Sequence, residues 1–499
     1  MGEPAAAAAI SAAAIPERLD RNIATTGLMI AVAMQAADAL IANVALPHME
    51  ADLGGGALMG AWVITAYLCA TAILAPLTGW LRRHYGARHL FPGAIALFVA
   101  ASLGCSLAPN AGLLILFRVL QGAGGGVMHP LSQAILLDIH PKERHGRMLA
   151  LWGAAAMLGP VLGPVIGGAI TDLASWRWVF AINLPLGALS VWCLRRARGR
   201  AEGDRDLSID RLGIVMLMLG IGALQLCLQR GIGRSWLESP DIIAEAAITV
   251  FAFAFLLLRA RRTRFAVVRG AVFRDVNFAT ATFYNFMLSA LLFVSVLFVP
   301  LLGEGPLGLP ATLAGALVVP RALLMMVMML GIGQIINRVD MRILLASGWL
   351  LMAAGLAILS TLQPDHGIVW VLIGSTIQAA GAGMLYTPLS TLAFSTLPAE
   401  LRTDATGLFS LLRQLGYASG VAVMTAVLRL RVAAQLAHFA APGGGSPGDG
   451  SYGLAAHSLT DLATIHAYRD CFAMMSLTAV LVIPGIFLFR IVRRGPAAA

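Results

Sequence analysis

Long apolar segments dominate this chain and restrict what it can fold into. A helix needs about 20 mostly apolar residues to cross a bilayer, and the chain contains fourteen segments of this kind. They cover residues 24–46, 58–79, 90–108, 112–136, 147–170, 178–194, 212–229, 242–258, 277–302, 313–334, 343–362, 368–394, 405–428 and 471–489. Only 12% of the 499 residues are charged, against about 25% in soluble globular proteins. We therefore predict an all-α integral membrane protein, since a membrane β-barrel would show short segments of alternating polarity.

The distribution of Lys and Arg predicts how these segments are oriented. If all fourteen cross the membrane in turn, 26 of the 35 basic residues lie on the same side as the two termini and six lie on the other side. Cytoplasmic loops carry an excess of Lys and Arg. We therefore expect cytoplasmic termini and a location in the cell membrane, or in the inner membrane of a Gram-negative cell. Topology thus explains the net charge of +10, and we expect no nucleic-acid partner.

Two stretches, "LQGAGGGVMHPLS" and "IQAAGAGMLYTPLS", indicate an internal repeat. Gln121 and Gln378 are 257 residues apart, and the same spacing relates Gly159 to Gly416 further along. We predict two six-helix halves separated by two inserted helices, a type of duplication that is common in secondary transporters. The resulting segments are a cytoplasmic tail (1–23), an N-terminal half (24–194), a central segment with the two extra helices and basic loops (195–275), a C-terminal half (276–489) and a cytoplasmic tail (490–499).

The longest predicted non-cytoplasmic loop covers residues 429–470 and contains "APGGGSPGDGSYG". Gly, Pro and Ser at this density predict a flexible segment. The loop is either a plain linker or a docking surface for a periplasmic partner.

Asp38 is the only acidic residue that we place deep inside a predicted span, and its own helix offers no Lys or Arg within a turn or two. A charge at the bilayer centre costs about 2.5–3.5 kcal/mol, and burial favours the neutral form of a carboxylic acid. Asp38 is therefore a candidate proton carrier, for which a proton and a cationic substrate would compete. The alternative is a structural Asp that bonds Asn43 or a neighbouring helix.

Six stretches of the chain form recognisable motifs. They are "DALIANVALP" (38–47), "GWLRRHYGARH" (79–89), "FRVLQGAGGG" (117–126), "GPVLGPVIGG" (159–168), "WRWVFAINLPLG" (176–187) and "LLRQLGYASGVAV" (411–423). Together they resemble the major facilitator superfamily, and specifically its fourteen-helix drug:proton antiporters of the EmrB/QacA type. The resemblance runs over nearly the whole chain. It departs at Arg83, where many members carry Asp.

The resemblance implies roles for particular residues. Arg118 would act in proton coupling by influencing a carboxylate, although an Arg that reaches the outer interface is the alternative. The fifth-helix antiporter motif, typical of exporters, comprises Gly159, Gly163, Pro164, Gly167 and Gly168, and the loop motif comprises Gly79, Arg83, Gly86 and Arg88. In similar Gram-negative proteins a periplasmic membrane-fusion protein passes the cargo onward.

The antiporter-motif glycines also have a physical reason, because small residues let helix backbones approach closely in a membrane. We expect them to form a close, bendable contact between the two halves, with a static packing seam as the alternative. Candidate cavity residues, each of which could equally be ordinary packing, are Gln35, Asn43, Trp62, Tyr67, His129, Tyr386, Arg413 and Gln414. The repeat pairs His129 with Tyr386, which would face each other if both point inward.

We therefore predict a proton-driven exporter of amphipathic or lipophilic, often cationic, compounds. The sequence has no GxxxxGK[ST] motif, so we expect the proton gradient to supply the energy and no cofactor to be needed. A dedicated exporter of one metabolite, lipid or siderophore is an alternative, and a membrane receptor or scaffold without transport is another. An enzyme is the least expected class, because we find neither a nucleophile–base pair nor a metal-ligand cluster in the sequence.

Overall fold

The computed structural model describes residues 18–54, 56–196, 210–231, 239–262, 270–363, 367–440 and 459–490. Throughout these ranges the regular secondary structure is helical, without strands. The predicted all-α fold is therefore confirmed for the described part of the chain.

Ten α-helices precede residue 270. They are α1 (Arg18–Leu53), α2 (Gly56–Leu74), α3 (Thr78–Tyr85), α4 (Ala87–Ser106), α5 (Ala111–Ile139), α6 (His145–Leu173), α7 (Trp176–Ala181), α8 (Asn183–Arg196), α9 (Arg211–Gly231) and α10 (Pro240–Arg262). Seven more follow. They are α11 (Val276–Glu304), α12 (Ala311–Ala316), α13 (Val318–Ile335), α14 (Met341–Ser360), α15 (Gly367–Ser395), α16 (Arg402–Ala440) and α17 (Leu459–Val482).

Each of the fourteen predicted segments overlaps one or two of these helices. Within the described residues, however, length and composition qualify twelve helices as membrane spans. A thirteenth results if Trp62–Leu74 and Thr78–Tyr85, which meet at a bend of 60°, are counted as one span. The predicted count of fourteen is therefore not confirmed, although the positions of the helices agree with the prediction.

Several helices begin where a polar side chain accepts a hydrogen bond from the free backbone amides of the first turn. Asn110 accepts from Leu113 N at 2.9 Å at the start of α5, and Asp275 accepts from Phe278 N at 2.8 Å at the start of α11. Gly86 separates α3 from α4 with a φ of 73°, which other residues rarely adopt. These caps fix where the chain leaves one helix and enters the next.

The helices group into two compact units. Unit 1 comprises Met1–Leu226, Ala244–Val272 and Leu397–Leu411, and unit 2 comprises Cys227–Ile243, Phe273–Thr396 and Leu412–Ala499. Each unit has its own buried apolar core, with Trp152 in unit 1 and Trp349 in unit 2 among the largest fully buried side chains.

The repeated glycines occupy matching places inside the two units. A Cβ on Gly126 of α5 would lie 2.6 Å from the carbonyl oxygen of Thr71, and a Cβ on Gly383 of α15 would lie 2.6 Å from that of Met325. Only glycine allows such close approach of two helix backbones. The spacing of 257 residues thus corresponds to the same helix packing in both units.

The predicted loop at 429–470 is helical at both ends, because α16 continues to Ala440 and α17 begins at Leu459. Residues 429–440 and 459–470 of the predicted loop are therefore helical. Arg431 and Asp470 form an ion pair of 3.7 Å, and the rings of Phe439 and His466 are 5.9 Å apart. The Gly- and Pro-rich centre of the loop lies outside the described residues.

Candidate functional site

A buried polar cluster in unit 1 has Asp38 at its centre. The residue lies in the middle of α1, and only 1% of its surface is exposed. An Arg118 nitrogen from α5 donates to Asp38 Oδ2 at 2.8 Å, and both side chains are sealed from solvent. Asp38 has no Lys or Arg within two turns on its own helix, but the fold brings an arginine from another helix. The carboxylate is therefore paired, not isolated.

Two amides donate to the other carboxylate oxygen. The Nε2 atom of Gln121 and the Nδ2 atom of Asn183 each lie 2.7 Å from Asp38 Oδ1. The same two amides donate to Ser102 Oγ at 2.6 and 2.8 Å. The ionised carboxylate thus accepts three hydrogen bonds, which offset part of the cost of burying its charge.

The guanidinium of Arg118 has further partners that hold it in place. It donates to Gln121 Oε1 at 2.8 Å and to the carbonyl oxygen of Val63 at 3.3 Å. Its central carbon lies 4.3 Å from the ring centre of Tyr67, within range of a cation–π contact. Gln35 Nε2 in turn donates to the Tyr67 hydroxyl at 3.0 Å.

Helix geometry explains how these groups meet. Arg118 and Gln121 are three residues apart on α5 and therefore share a face. Asn183 is the first residue of α8, directly after the break at Ile182 that separates it from α7. Ser102 is contributed by α4. Five helices, including α2 through Tyr67, thus meet at one site.

The site can exist in two charge states. In the ionised state, Asp38 and Arg118 neutralise each other. A proton on Asp38 would remove the negative charge and leave the buried guanidinium with neutral partners only, a costly arrangement. The cluster is therefore suited to coupling proton uptake to a change in its hydrogen bonds.

The other predicted cavity residues lie in several places. Gln35 and Tyr67 adjoin the cluster, whereas the His129 ring packs 4.5 Å from that of Trp152. Trp62 is half-buried. The side chains of Asn43 and Pro164 lie outside what the structure describes.

Unit 2 contains the remaining cavity candidates. Tyr386 is buried, whereas Arg413 and Gln414 are half-buried. Arg321 of α13 is also buried, and it donates to the carbonyl oxygen of Ser295 and to Gln378 Oε1, both at 3.0 Å.

The antiporter-motif glycines of α6 pack against α1 inside unit 1. A Cβ on Gly159 would collide with the backbone of Ala36, and one on Gly167 would lie 2.6 Å from Ile41 Cγ1. The nearest atoms to these two glycines thus belong to α1 of the same unit. Gly163 is buried and Gly168 is half-buried in the same helix. Because Gly159 and Gly167 have no side chain, α6 lies close to α1, the helix that carries Asp38.

The loop motif forms ion pairs within unit 1. The Arg83 guanidinium contacts Asp404 at the start of α16, and Arg82 donates to Asp138 Oδ2 at 2.7 Å. A side chain at Gly79 would collide with Asp404. Arg83, the position at which the loop motif departs from its usual Asp, thus has an acidic partner in Asp404. Arg88 is exposed.

Sequence reasoning missed three members of the cluster: Ser102, Gln121 and Asn183. Gln121 lies in "FRVLQGAGGG" and Asn183 in "WRWVFAINLPLG", so their position in these motifs was an available signal. Ser102 lies in a plain apolar segment, and no local pattern marks it.

Comparisons with known proteins agree with this architecture. The model of the Major Facilitator Superfamily matches residues 28–421. The chain is 34% identical over 403 residues to the multidrug export protein EmrB of Haemophilus influenzae, which covers 80% of this chain and 79% of that protein. It is 33% identical over 420 residues to the fatty acid resistance protein FarB of Neisseria gonorrhoeae, with 83% and 82% covered.

Among solved structures, the human organic anion transporter MFSD10 (TETRAN) aligns with a TM-score of 0.61 at 13% identity, over 95% of this chain and 100% of that one. Such low identity supports the fold alone. The family match covers most of the chain, and curated relatives exceed 30% identity over about four fifths of it. The chain therefore belongs to the Major Facilitator Superfamily.

Proposed function

We propose that this protein is a secondary transporter that exports amphipathic or lipophilic compounds, often cationic ones, in exchange for protons. The observation that carries the proposal is the Asp38–Arg118 pair, which lies sealed inside a bundle of apolar helices. Ionisable groups within membrane spans are expensive and usually serve ion or substrate movement. The multidrug export protein EmrB at 34% identity supports the same activity.

In the proposed cycle, Asp38 takes up a proton when its site opens to the acidic side. The proton breaks the bond to Arg118, and the freed guanidinium needs new partners. Deprotonation on the other side restores the pair. An exchange of this kind uses the proton gradient as its energy source and requires no cofactor.

A dedicated exporter of one lipophilic class is a second candidate, favoured by the fatty acid resistance protein FarB among the relatives. Growth inhibition by a broad panel of compounds separates the two candidates. A strain that produces the protein would resist many unrelated compounds in the first case and one class in the second. Transport in either case speaks against a receptor or scaffold, and the superfamily match speaks against an enzyme.

The proposal extends to location and partners. The excess of Lys and Arg on one side supports cytoplasmic termini, and the EmrB relatives support the inner membrane of a Gram-negative cell. A periplasmic membrane-fusion protein is a proposed partner. The outer parts of α16 and α17, joined by Arg431 and Asp470, offer it a helical surface.

Dye export in proteoliposomes tests the function. With an imposed proton gradient, the parent protein should move ethidium uphill. Asp38→Asn leaves Arg118 unpaired, so it is assayed on its folded, monodisperse fraction, in which uphill movement should be abolished. Asp52→Asn is the matched control, because Asp52 pairs with Arg177 at an exposed site. Normal gradient-driven export by Asp38→Asn would remove Asp38 from the mechanism.

A further inference from the structure

A groove of about 370 Å³ runs along the outside of unit 1 between α4 and α8, and we name it the outer groove. Small residues leave it open on both helices, because Ala96 of α4 and Ala188 of α8 line it and are exposed. Gly187 also lines it and is buried, and a Cβ there would collide with a methyl group of Val99. The two helices therefore lie close together beneath the groove.

The outer groove is about as long as one leaflet of a bilayer is thick. Its α8 wall extends from Leu184 to Arg195, which is about 16 Å along a helix that rises 1.5 Å per residue. The hydrocarbon of one leaflet is about 15 Å thick, half of the bilayer core. A 150 Å³ apolar cavity holds benzene, so the larger volume of the groove accommodates most of one acyl chain.

Arg195 gives the outer groove a positive charge at one end. The residue is exposed, and it is the last residue of the candidate membrane span Trp176–Arg195. Trp192 lies one turn earlier with 51% of its surface exposed, and Trp is enriched where a span meets the membrane interface. The Lys/Arg asymmetry predicts that this end faces the cytoplasm. The charge therefore lies at the level of the headgroups of the cytoplasmic leaflet.

The surroundings of Arg195 favour an anionic headgroup. Among the described residues, no ion pair includes Arg195. Basic residues on the cytoplasmic side of membrane helices attract anionic headgroups. A zwitterionic headgroup also has a phosphate, but its own cation weakens the attraction to an arginine. An anionic phospholipid thus matches both parts of the groove, the apolar length and the charged end.

We propose that the outer groove binds an anionic phospholipid of the cytoplasmic leaflet, with one acyl chain along α4 and α8 and the phosphate at Arg195. This site is separate from the proposed proton site and does not depend on transport. A lipid bound there contacts α8, the helix whose first residue, Asn183, donates to Asp38 Oδ1.

Photo-crosslinking tests the site without requiring transport. The full-length protein is reconstituted in phosphatidylcholine vesicles with a trace of phosphatidylglycerol that carries a diazirine in its acyl chain, and the crosslinked peptides are mapped. Phosphatidylcholine with the same diazirine chain is the reference probe. Relative to the labelling of α10, which is mostly exposed, the phosphatidylglycerol probe should label the α4 and α8 peptides about fivefold more than the reference probe does.

Two pairs of variants separate the groove from its charge. Arg195→Gln should remove the preference for phosphatidylglycerol, whereas Arg211→Gln, at an exposed arginine of α9 that does not line the groove, should keep it. Ala96→Phe should reduce labelling by both probes about fivefold. Ala100→Phe, one turn further along α4 and also exposed, should not.

Several outcomes would overturn the proposal. Equal labelling of the parent by the two probes would exclude selection of an anionic headgroup, and unchanged labelling of Ala96→Phe would exclude the groove. An equal loss of preference in Arg195→Gln and Arg211→Gln would assign the preference to general attraction by a basic surface. Loss of labelling in excess ethidium would assign the groove to a transported compound. Labelling of the parent is read without a proton gradient, so the proposed function is tested separately.

Discussion

Units 1 and 2 each bury an arginine against the corresponding glutamine of the repeat, but the two arginines differ in their other partners. Arg118 bonds Gln121 and forms an ion pair with Asp38, whereas Arg321 bonds Gln378 and a carbonyl oxygen. Among the described residues, no carboxylate pairs with Arg321. Within the described ranges, the duplicated halves thus keep the same helix packing, while only unit 1 pairs its buried arginine with a carboxylate.

This difference suggests that the fold and the coupling chemistry are separable. The glycines that set helix contacts recur at a spacing of 257 residues, so packing is the shared property. Among the residues that the structure describes, the carboxylate beside the buried arginine occurs in unit 1 alone. Variants of matched residues in the two units can test this separation.

The largest effect is expected from Arg118→Met. Removal of one partner of a buried ion pair costs about 3–5 kcal/mol, because the other charge stays buried without compensation. We expect a loss of that size in the free energy of unfolding, measured by steric trapping in detergent micelles. The double variant Asp38→Asn/Arg118→Met should recover most of the loss. If the double variant is as unstable as the single one, the pair is not the cause.

Arg321→Met should have a smaller effect. The partners of Arg321 are neutral oxygens, so the substitution leaves no unpaired charge, and the expected loss is about 1–3 kcal/mol, the cost of an unsatisfied buried acceptor. The same unfolding measurement applies. A loss as large as that of Arg118→Met would break the comparison, since it would mean that Arg321 also has a charged partner.

The glycine contacts should respond alike in the two units. Gly126→Ala and Gly383→Ala each place a Cβ 2.6 Å from a backbone oxygen, and overpacking of this kind costs about 1–3 kcal/mol. Gly93→Ala and Gly331→Ala are the controls, because a Cβ there meets nothing within 4 Å. Losses that differ between the units by more than about 1 kcal/mol would contradict a shared packing plan.

The smallest effect is a pH dependence at one end of unit 1. Burial, with the charges of Arg21 and Arg144 nearby, lowers the pKa of His140 to about 4, from 6.5. Between these values the unfolded chain takes up a proton that the folded chain does not, so stability should fall as the pH decreases from about 6.5 to 4.

The expected loss for this histidine is less than about 1 kcal/mol between pH 7 and pH 6. Melting curves of the parent and of His140→Asn measure it, and the variant should show the weaker dependence. An unchanged pH dependence in the variant would assign the effect to other groups. The variant also tests the bond between His140 Nε2 and Thr25 Oγ1, which spans 2.9 Å.

The sequence predicted the helices well, because apolar length and Lys/Arg asymmetry are local properties that the membrane enforces. It also predicted Asp38 and Arg118 as members of the site, because each is a charged residue in an apolar segment, where a charge is costly. Their pairing could not be predicted from the sequence, because the two residues lie 80 positions apart and only the tertiary fold brings them into contact. The contact between Arg83 and Asp404, across 321 residues, shows the same limit.

The end of α16 shows a different limit. Residues beyond 428 looked like a loop because their composition turns polar towards a Gly- and Pro-rich stretch, but the helix continues to Ala440. A helix can extend past the bilayer when its outer part packs against a neighbour, here through Phe439 and His466. Hydropathy locates the hydrocarbon layer and does not locate the end of a helix.

The pairing of Asp38 with Arg118 also has an electrical consequence. The ionised pair has zero net charge, whereas the protonated site has a charge of +1. The transmembrane voltage therefore exerts a force on the loaded site and almost none on the empty one, with about 2.3 kcal/mol available per charge moved through 100 mV. If Asp38 carries the proton, as proposed, the voltage acts on this protein as well as on its cargo, and export of a neutral compound would be electrogenic.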